Sequence, residues 1–176
     1  YKLINPRSQV PVLVHDGHVL TQIVAITQYL DMLFPGQHFL PTGHLARAQA
    51  LSTFAWMNNT VHPTFTHIFM PQKFTDQADA QAAIKQHAIG QFKDMLADLQ
   101  QLVVRKNEAG HPWLAGDHFS PLDAYSLTLT RWGTIAGIAP SVHPGLWAFV
   151  QQVAAVPAVA RVMERERLQL DMSKPA

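Results

Sequence analysis

Two short segments near the start of the chain carry groups suited to binding chemistry, and the first is Val10-Pro11. Proline removes a ladder donor from a strand, so it belongs at a strand edge or in a special bond. A trans bond would simply open an edge strand. A cis bond would turn the Val10 amide and carbonyl outward, where they could pair with the backbone of a peptide-like ligand. The local sequence leaves both interpretations open.

The second segment, Thr21-Gln22-Ile23-Val24, stands where a predicted strand passes into a helix. Thr21 is suited to cap that helix, and the local pattern favours this structural role. Alternatively, the free N–H groups and the dipole of the helix N-terminus would hold a carboxylate, with Gln22 adding a side-chain amide. An anion site therefore remains the alternative to simple capping.

His62 and a set of aromatic rings are further candidates. His62 directly precedes Pro63. A lone histidine in a helical segment is more often structural than catalytic, and an aromatic stripe is more often core. Some of the rings would otherwise line a pocket for an apolar substrate. The rings predicted to lie on facing helices are Trp56, Phe65, Phe69 and Trp132.

Ser120-Pro121-Leu122-Asp123 predicts a helix start with a capping box. Ser120 would cap the helix, Asp123 would reach back to the cap amide, and Pro121 fits the first helical position. The sequence has no glycine-rich phosphate loop, no G-x-S-x-G motif and no acidic cluster. Because no paired histidines lie beside acidic residues, we predict no metal site.

Composition limits the classes of function. The chain has 176 residues, a net charge of +1, no cysteine, 48% hydrophobic and 14% charged residues. Disulfides and zinc–thiolate sites are thereby excluded within the sequence. Without a basic run or an apolar run of ~20 residues, we expect neither a nucleic-acid partner nor a membrane span, and a cytoplasmic location. The low charged fraction suggests a buried interface.

Periodicity predicts a small α/β segment followed by helices only. Val10–Val14 and Val19-Leu20 are predicted strands around an Asp16-Gly17 turn, and a helix follows until Pro35-Gly36. We therefore predict two domains, residues 1–36 and 42–170. Helices are predicted over about 45–69 with a kink at Pro63, 76–106, 120–136, 144–155 and 157–167, before a frayed tail at 172–176.

Short motifs recur along the chain in a characteristic order, and their order and spacing are more specific than any one of them. They are Asn5-Pro6, Gln9-Val10-Pro11-Val12-Leu13, Asp16-Gly17, Leu20, Ala25-Ile26, Tyr29-Leu30, Gly116-Asp117-His118-Phe119-Ser120, Asp123-Ala124, Arg131-Trp132 and Pro157-Ala158-Val159. In this arrangement, from Asn5 to Glu166, the chain resembles the cytosolic glutathione S-transferases, most closely their bacterial beta-type branch. The resemblance implies a partial thioredoxin-like domain, an all-α domain and a homodimer.

The resemblance also implies roles for individual residues. It implies that the Val10-Pro11 bond is cis and that the Val10 backbone pairs with the cysteinyl part of glutathione. It also implies that Gln22 and Ile23 hold the γ-glutamyl end. His62 would support catalysis. Phe65 and Trp132 would border the substrate cleft, and Ser120 and Asp123 would form the family's capping box.

Two departures from the family pattern stand out. Ile23 replaces a small or hydroxyl residue, so one side-chain hydrogen bond to the ligand carboxylate is lost, which would weaken binding by about 1.5–3 kcal/mol. The family's catalytic Tyr, Ser or Cys lies on a first strand–helix unit, which we expect to precede residue 1. Tyr1 is therefore not expected to be that residue. Two strands and one helix are also too few for an independent α/β domain, which supports the expectation of a preceding strand–helix unit.

The function implied is transfer of the glutathione thiolate to a small electrophile, with glutathione as co-substrate and no metal. Glutathione-linked reduction of peroxides or disulfides is a close variant. Ile23 also supports a different hypothesis, in which the protein is a non-catalytic interaction module on the same fold.

Overall fold

A hairpin of two short antiparallel strands forms the only sheet in the computed structural model, which describes residues 1–173. Strand β1 is Val12–His15 and β2 is His18–Thr21, with Val12 opposite Thr21 and His15 opposite His18. The predicted Asp16-Gly17 turn is confirmed, with φ of 48° and 77° as a type I′ turn requires. The residues 174–176 of the predicted frayed tail lie outside the described range.

Seven α-helices follow the hairpin within residues 1–173. Their bounds agree with the sequence periodicity to within a few residues, except between residues 45 and 69. The helices are α1 Ile23–Leu33, α2 His44–Trp56, α3 His62–Phe69, α4 Ala78–Glu108, α5 Pro121–Ile135, α6 Pro144–Ala154 and α7 Pro157–Arg165.

The helix predicted over residues 45–69 is interrupted earlier than its proline. Met57–Val61 forms a wider π-helical turn, in which the His62 N–H donates to the Met57 carbonyl. Pro63 cannot donate a backbone hydrogen bond, and its ring crowds the carbonyl four residues earlier. The chain accommodates this in the preceding turn, which sets the start of α3 at His62.

The hydrophobic core lies almost wholly in the helical region. Every member of the main buried cluster stands at or after Leu40. Phe92 and Leu99 of α4 and Leu129 of α5 are completely buried, at 0% exposure. Helix α4 packs against α3, α5 and α6 and so forms the centre of the bundle. The scaffold that supports any site is therefore helical.

Asp123 ties the loop before α5 to the helix. The predicted capping box is confirmed: the Asp123 carboxylate accepts from the Ser120 N–H and hydroxyl, both at 2.7 Å. Its other oxygen accepts from the Leu114 N–H at 2.8 Å. Burial raises the pKa of Asp123, and these hydrogen bonds oppose the rise. One carboxylate thus fixes a loop and a helix start together.

A partly buried ion pair joins α1 to α2, across the boundary between the two predicted domains. Asp31 accepts from Arg47 at 2.6 Å and from the Leu40 N–H at 3.0 Å. The Asp31 side chain is only 10% exposed. The hairpin and α1 are therefore fastened to the helical region by a charged joint as well as by packing of Ile23 and Val24 on the core.

Within residues 1–173, a single helix that is both long and apolar enough to cross a bilayer does not occur. Helices α6 and α7 meet that criterion only when they are counted together, and they are bent by 86° at their junction.

Candidate functional site

A cleft of about 440 Å³ lies between the N-terminal segment and the π-helical turn. Its lining comes from four parts of the chain: Asn5 and residues 7–11, Thr21–Ile23, Asn58, and His62. Among these described lining residues Arg7 carries a positive charge and none is acidic. The cleft is therefore electrostatically suited to an anionic ligand.

The loop at one wall of the cleft is built around Asn5. This side chain is 4% exposed, donates to the Gln9 carbonyl at 2.7 Å and accepts from the Arg7 N–H at 3.2 Å. Tyr1 also donates to the Gln9 carbonyl through its hydroxyl. Ser8 takes a left-handed conformation with φ of 55°. Asn5 thus acts as an internal template that holds residues 5–9 beside Val10.

The Val10-Pro11 peptide bond is cis, which confirms the prediction. Val10 is 80% exposed, and within residues 1–173 no backbone hydrogen bond is formed by its N–H or its carbonyl. β1 begins only at Val12. The Val10 backbone therefore offers a free donor and a free acceptor at the edge of the cleft.

The N-terminus of α1 also lines the cleft, and there the predicted cap is wrong. Thr21 stays in β2 opposite Val12, so the chain turns into the helix one residue later, at Gln22. Gln22 has φ of 72° and makes no side-chain cap bond. The first intrahelical bond runs from the Ile26 N–H to the Gln22 carbonyl, which leaves the preceding N–H groups without intrahelical acceptors. The alternative, an uncapped helix N-terminus open to an anion, fits this geometry.

His62 reaches the cleft from the first turn of α3. Its Nδ1 lies 2.6 Å from the Tyr125 hydroxyl on α5, and that hydroxyl lies 3.4 Å from Asn58 Oδ1. Burial lowers the pKa of His62 and raises the pKa of Tyr125 to about 12. The pair is therefore a neutral imidazole beside a protonated phenol at neutral pH.

The aromatic residues proposed for the substrate cleft form a stack behind His62. Trp132 meets the His62 ring edge-on with centroids 4.7 Å apart, and Phe65 stacks on Trp132 at 4.7 Å. Phe65 is 6% exposed and belongs to the core, and Trp132 is partly buried against it. Neither ring lies in the lining described above. Their contact with a substrate remains a prediction, and their observed contact is with each other and with His62.

Sequence reasoning missed several residues of this site. Asn5 was available only as part of a motif, and Arg7 was visible as a lone cation close to Val10. Asn58 depends on the π-helical turn. Tyr125 lies 63 residues from His62, and a single sequence gives no signal for that contact.

Among residues 1–173, clusters of three or more His, Asp or Glu side chains arranged to hold a metal ion are absent. That no metal takes part remains a prediction.

Comparison with known proteins identifies the architecture. Residues 1–32 match the family model described as glutathione S-transferase, N-terminal domain. A glutathione S-transferase of Xanthomonas campestris pv. campestris is 31% identical over 173 residues, covering 96% of this chain and 80% of that protein.

Two solved structures agree with this match. A sphingomonad glutathione S-transferase complexed with glutathione has a TM-score of 0.78 and 30% identity, covering 96% of this chain and 79% of its own. The beta-class glutathione S-transferase of Sphingomonas chungbukensis has a TM-score of 0.79 and 28% identity at the same coverage. The chain therefore belongs to the glutathione S-transferase family and has its fold, with a thioredoxin-like N-terminal part followed by a helical part.

Proposed function

We propose that the cleft binds glutathione and that the protein transfers the thiolate of glutathione to small electrophiles. The observation that supports this most is that one cleft holds both the unpaired backbone of the exposed residue Val10 and an uncapped helix N-terminus, and that its described lining has one cation and no acid. Glutathione is a peptide with two carboxylates. Its backbone and its negative charge both find complementary groups here.

Each group in the cleft has a proposed role. The Val10 N–H and carbonyl pair with the cysteinyl residue of glutathione. Gln22 and the backbone N–H of Ile23 hold the γ-glutamyl carboxylate. Arg7 attracts the second carboxylate, because it is the cation of the described lining. His62 borders the same cleft, and its proposed role is to support catalysis there.

The chemistry is nucleophilic attack by sulfur. The thiol loses its proton to water or buffer, the thiolate lone pair forms the new bond to an electrophilic carbon, and a leaving group departs with its electron pair. Fixing the peptide supplies orientation, and a hydrogen bond to the thiolate would favour its formation. In the reductive variant, two glutathione molecules are oxidised to the disulfide as a peroxide or disulfide is reduced.

Calorimetric titration with glutathione tests the proposal. We expect saturable binding that Gln22→Ala weakens and Ile23→Ser strengthens, since serine restores a hydroxyl for the ligand carboxylate. The strengthening corresponds to a free energy of about 1.5–3 kcal/mol. Thr42→Ala, an exposed change outside the cleft, is the matched control and should leave the dissociation constant unchanged. Absence of binding by the wild type would refute the proposal.

A non-catalytic interaction module remains the second candidate, and Ile23 is the observation that favours it. If glutathione does not bind and Ile23→Ser does not create binding, the cleft is not a glutathione site and this candidate is preferred. Recovery of a protein partner in pull-downs would then support it.

We further propose that residues 1–36 and 42–170 act as a glutathione-binding part and a helical domain of a homodimer. The exposed apolar end of α1 supports an interface: Met32 is 69% exposed and Phe34 51%. Light scattering after size-exclusion chromatography tests this. A mass of one chain at micromolar concentration would contradict it.

A further inference from the structure

A second cleft, of about 470 Å³, shares no lining residue with the cleft beside Val10. Four parts of the chain line it: the segment between α1 and α2, the first half of α2, Lys106 near the end of α4, and the loop that follows α4. Its volume is within the range of small-molecule sites in proteins. The molecule therefore has room for a ligand outside the cleft proposed for glutathione.

The lining of this second cleft is rich in groups that can carry positive charge. It contains Lys106 and the histidines His38, His111 and His118, and among its described residues Asp117 is the one acid. The α2 residues in the lining are uncharged. With the histidines neutral, the lysine and the aspartate cancel, whereas with all three protonated the lining has three net positive charges. The charge of the second cleft therefore depends on pH where histidine titrates.

The one acid of the lining is held by a neighbouring side chain. His111 Nδ1 lies 2.7 Å from the Asp117 carboxylate, and the two form an ion pair when His111 is protonated. Within residues 1–173, Lys106 forms no ion pair. The positive charge that remains for a ligand then belongs to Lys106, His38 and His118.

His38 and His118 present their rings together. The rings are stacked, with centroids 4.6 Å apart and planes inclined by 15°. Both residues are exposed, and neither ring forms a hydrogen bond within the described chain. Protonation of both rings places two like charges side by side, which is unfavourable unless an anion accepts from their N–H groups. Binding of an anion and uptake of protons are therefore coupled.

The two segments that carry these rings are anchored by hydrogen bonds. Beside His38, the Leu40 N–H donates to the carboxylate of Asp31 at 3.0 Å, and Leu40 is 1% exposed. Before His118, the backbones of Trp113 and Gly116 exchange two hydrogen bonds, both of 3.1 Å. The second cleft is thus shaped without a ligand, which lowers the ordering cost of binding.

We propose that the second cleft binds a small phosphate monoester, whose phosphate group is held by His38, His118 and Lys106, and that binding strengthens as the pH falls through the histidine range. This inference goes beyond the proposed function and does not depend on it. A phosphate dianion has three free oxygens and can meet several separated cationic donors, whereas a carboxylate has one charge and two oxygens. The rest of the cleft holds the organic part of the ester.

Sulfate is the first probe, because it stays a dianion across the range tested and any pH dependence then belongs to the protein. In calorimetric titrations at fixed ionic strength, we expect the Kd at pH ~5.5 to be about tenfold lower than at pH ~7.5, the gain of one charge-assisted hydrogen bond. Titrations in two buffers of different ionisation enthalpy should show protons taken up on binding. Absence of saturable binding at pH ~5.5, or an equal Kd at both pH values, would overturn the inference.

Variants test which side chains carry the effect. His38→Asn and His118→Asn keep a hydrogen-bond donor but cannot gain a charge, so each should raise the Kd for sulfate about tenfold at pH ~5.5 and reduce the proton uptake. Lys106→Met keeps the aliphatic stem and should also weaken binding. The controls are His18→Asn at the hairpin turn and Lys85→Met at an exposed position of α4, which should bind as the wild type does. Equal effects of variants and controls would contradict the assignment.

The location is tested on the wild type, so that it does not depend on any variant folding. On titration with sulfate, the backbone amides within residues 38–43 and 111–118 should shift along one saturation curve, and those of Val10 and Ile23 should stay unshifted. Saturable shifts confined to the cleft beside Val10, where Arg7 also attracts anions, would overturn the inference.

The source of the phosphate is distinguished with two further probes. Glycerol 3-phosphate should bind at least as tightly as sulfate at pH ~6.5, where phosphate monoesters are mainly dianionic, because the cleft has room for the glycerol. Vesicles containing phosphatidic acid present the same group on a lipid surface, and the wild type should co-sediment with them no more than Lys106→Met does. Vesicle binding that requires Lys106, or failure of glycerol 3-phosphate to bind, would contradict a site for a small phosphate monoester.

Discussion

Residues 1–36 and the helical region after Leu40 contribute in opposite proportions to the hydrophobic core and to the lining of the cleft. Ile26 is the one hydrophobic residue of the first region that is buried, whereas the main core cluster of the described chain lies wholly in the second. In the described cleft the proportion is reversed, because only Asn58 and His62 come from the helical region. Most groups that line the cleft are thus carried by the part of the chain with the least core.

This difference shows how a segment with almost no hydrophobic core keeps a defined geometry. The N-terminal region uses the hydrogen bonds of a buried asparagine, a tight turn, and two cleft residues with positive φ, Ser8 and Gln22. The helical region uses packing, and it lends rigidity through the Asp31–Arg47 joint and through Ile23 and Val24. Mutations in the two regions should therefore have different consequences.

The largest expected effect is loss of core packing in the helical region. Phe92 is 0% exposed, and Phe92→Ala should lower the free energy of unfolding by about 3–5 kcal/mol. Phe34, at the end of α1, is 51% exposed, and Phe34→Ala should cost under about 0.5 kcal/mol in the monomer. Urea unfolding monitored by circular dichroism measures both. Equal losses in the free energy of unfolding for the two variants would contradict this difference between the regions.

Removal of the Asp123 carboxylate should have the next largest effect. Asp123→Ala leaves the buried N–H groups of Leu114 and Ser120 without acceptors, which should cost about 2–4 kcal/mol. Asp117, in the same loop, has a side chain that is 71% exposed and bonds only to His111 in the described structure. Asp117→Ala is therefore the control. A cost for Asp123→Ala no greater than for this control would contradict the assignment.

Weakening the joint between the regions should affect the N-terminal one first. Asp31→Asn removes the charge that holds Arg47, at a cost of about 1.5 kcal/mol. Hydrogen exchange should quicken in β2 and α1 while α4 amides keep their protection. Glu166→Gln, which removes an exposed contact at 3.9 Å to Arg165, should change neither. Equal acceleration in α4 would show that the regions do not open separately.

The smallest effect concerns pH. His143 is 8% exposed and its Nε2 has no partner within the described chain; burial lowers its pKa, with Lys93 and Asp94 nearby. Because the unfolded state then binds the proton more readily, stability is complete above the ordinary histidine pKa of about 6.5 and falls below it. His62, whose pKa is also lowered by burial, adds to the same trend.

Unfolding in urea at pH ~7.5 and ~5.5 measures this slope. His143→Gln should reduce the loss of stability on acidification, and the same change at exposed His44 should leave it as in the wild type. Stability that rises on acidification in the wild type would contradict the sign.

Local rules predict much of this fold and less of its site. The Asp16-Gly17 turn, the capping box at Ser120 and the helix bounds depend on neighbouring residues, so spacing predicts them. The prediction that Thr21 caps α1 was wrong because strand pairing with Val12 competes with capping and prevails. The π-helical turn before Pro63 depends on how a whole helix adjusts to a missing donor.

Contacts between distant residues could not be predicted from one sequence. The Asp31–Arg47 pair and the His62–Tyr125 bond join different helices, and their energy comes from burial that only the folded chain provides. The local sequence indicated a backbone-pairing edge at Val10 and a carboxylate contact at Gln22 only as alternatives, and the resemblance to a family made them the expected contacts with glutathione.

The central claim is that glutathione binds at the cleft beside Val10. Titration with glutathione, followed by ¹H–¹⁵N correlation of backbone amides, tests it most directly. We predict that the amides of Val10, Gln22 and Ile23 shift along one saturation curve, while residues 106–118, beside a second cleft of about 470 Å³, stay unshifted. Saturable shifts confined to that second cleft, or no saturable shifts at all, would contradict the account.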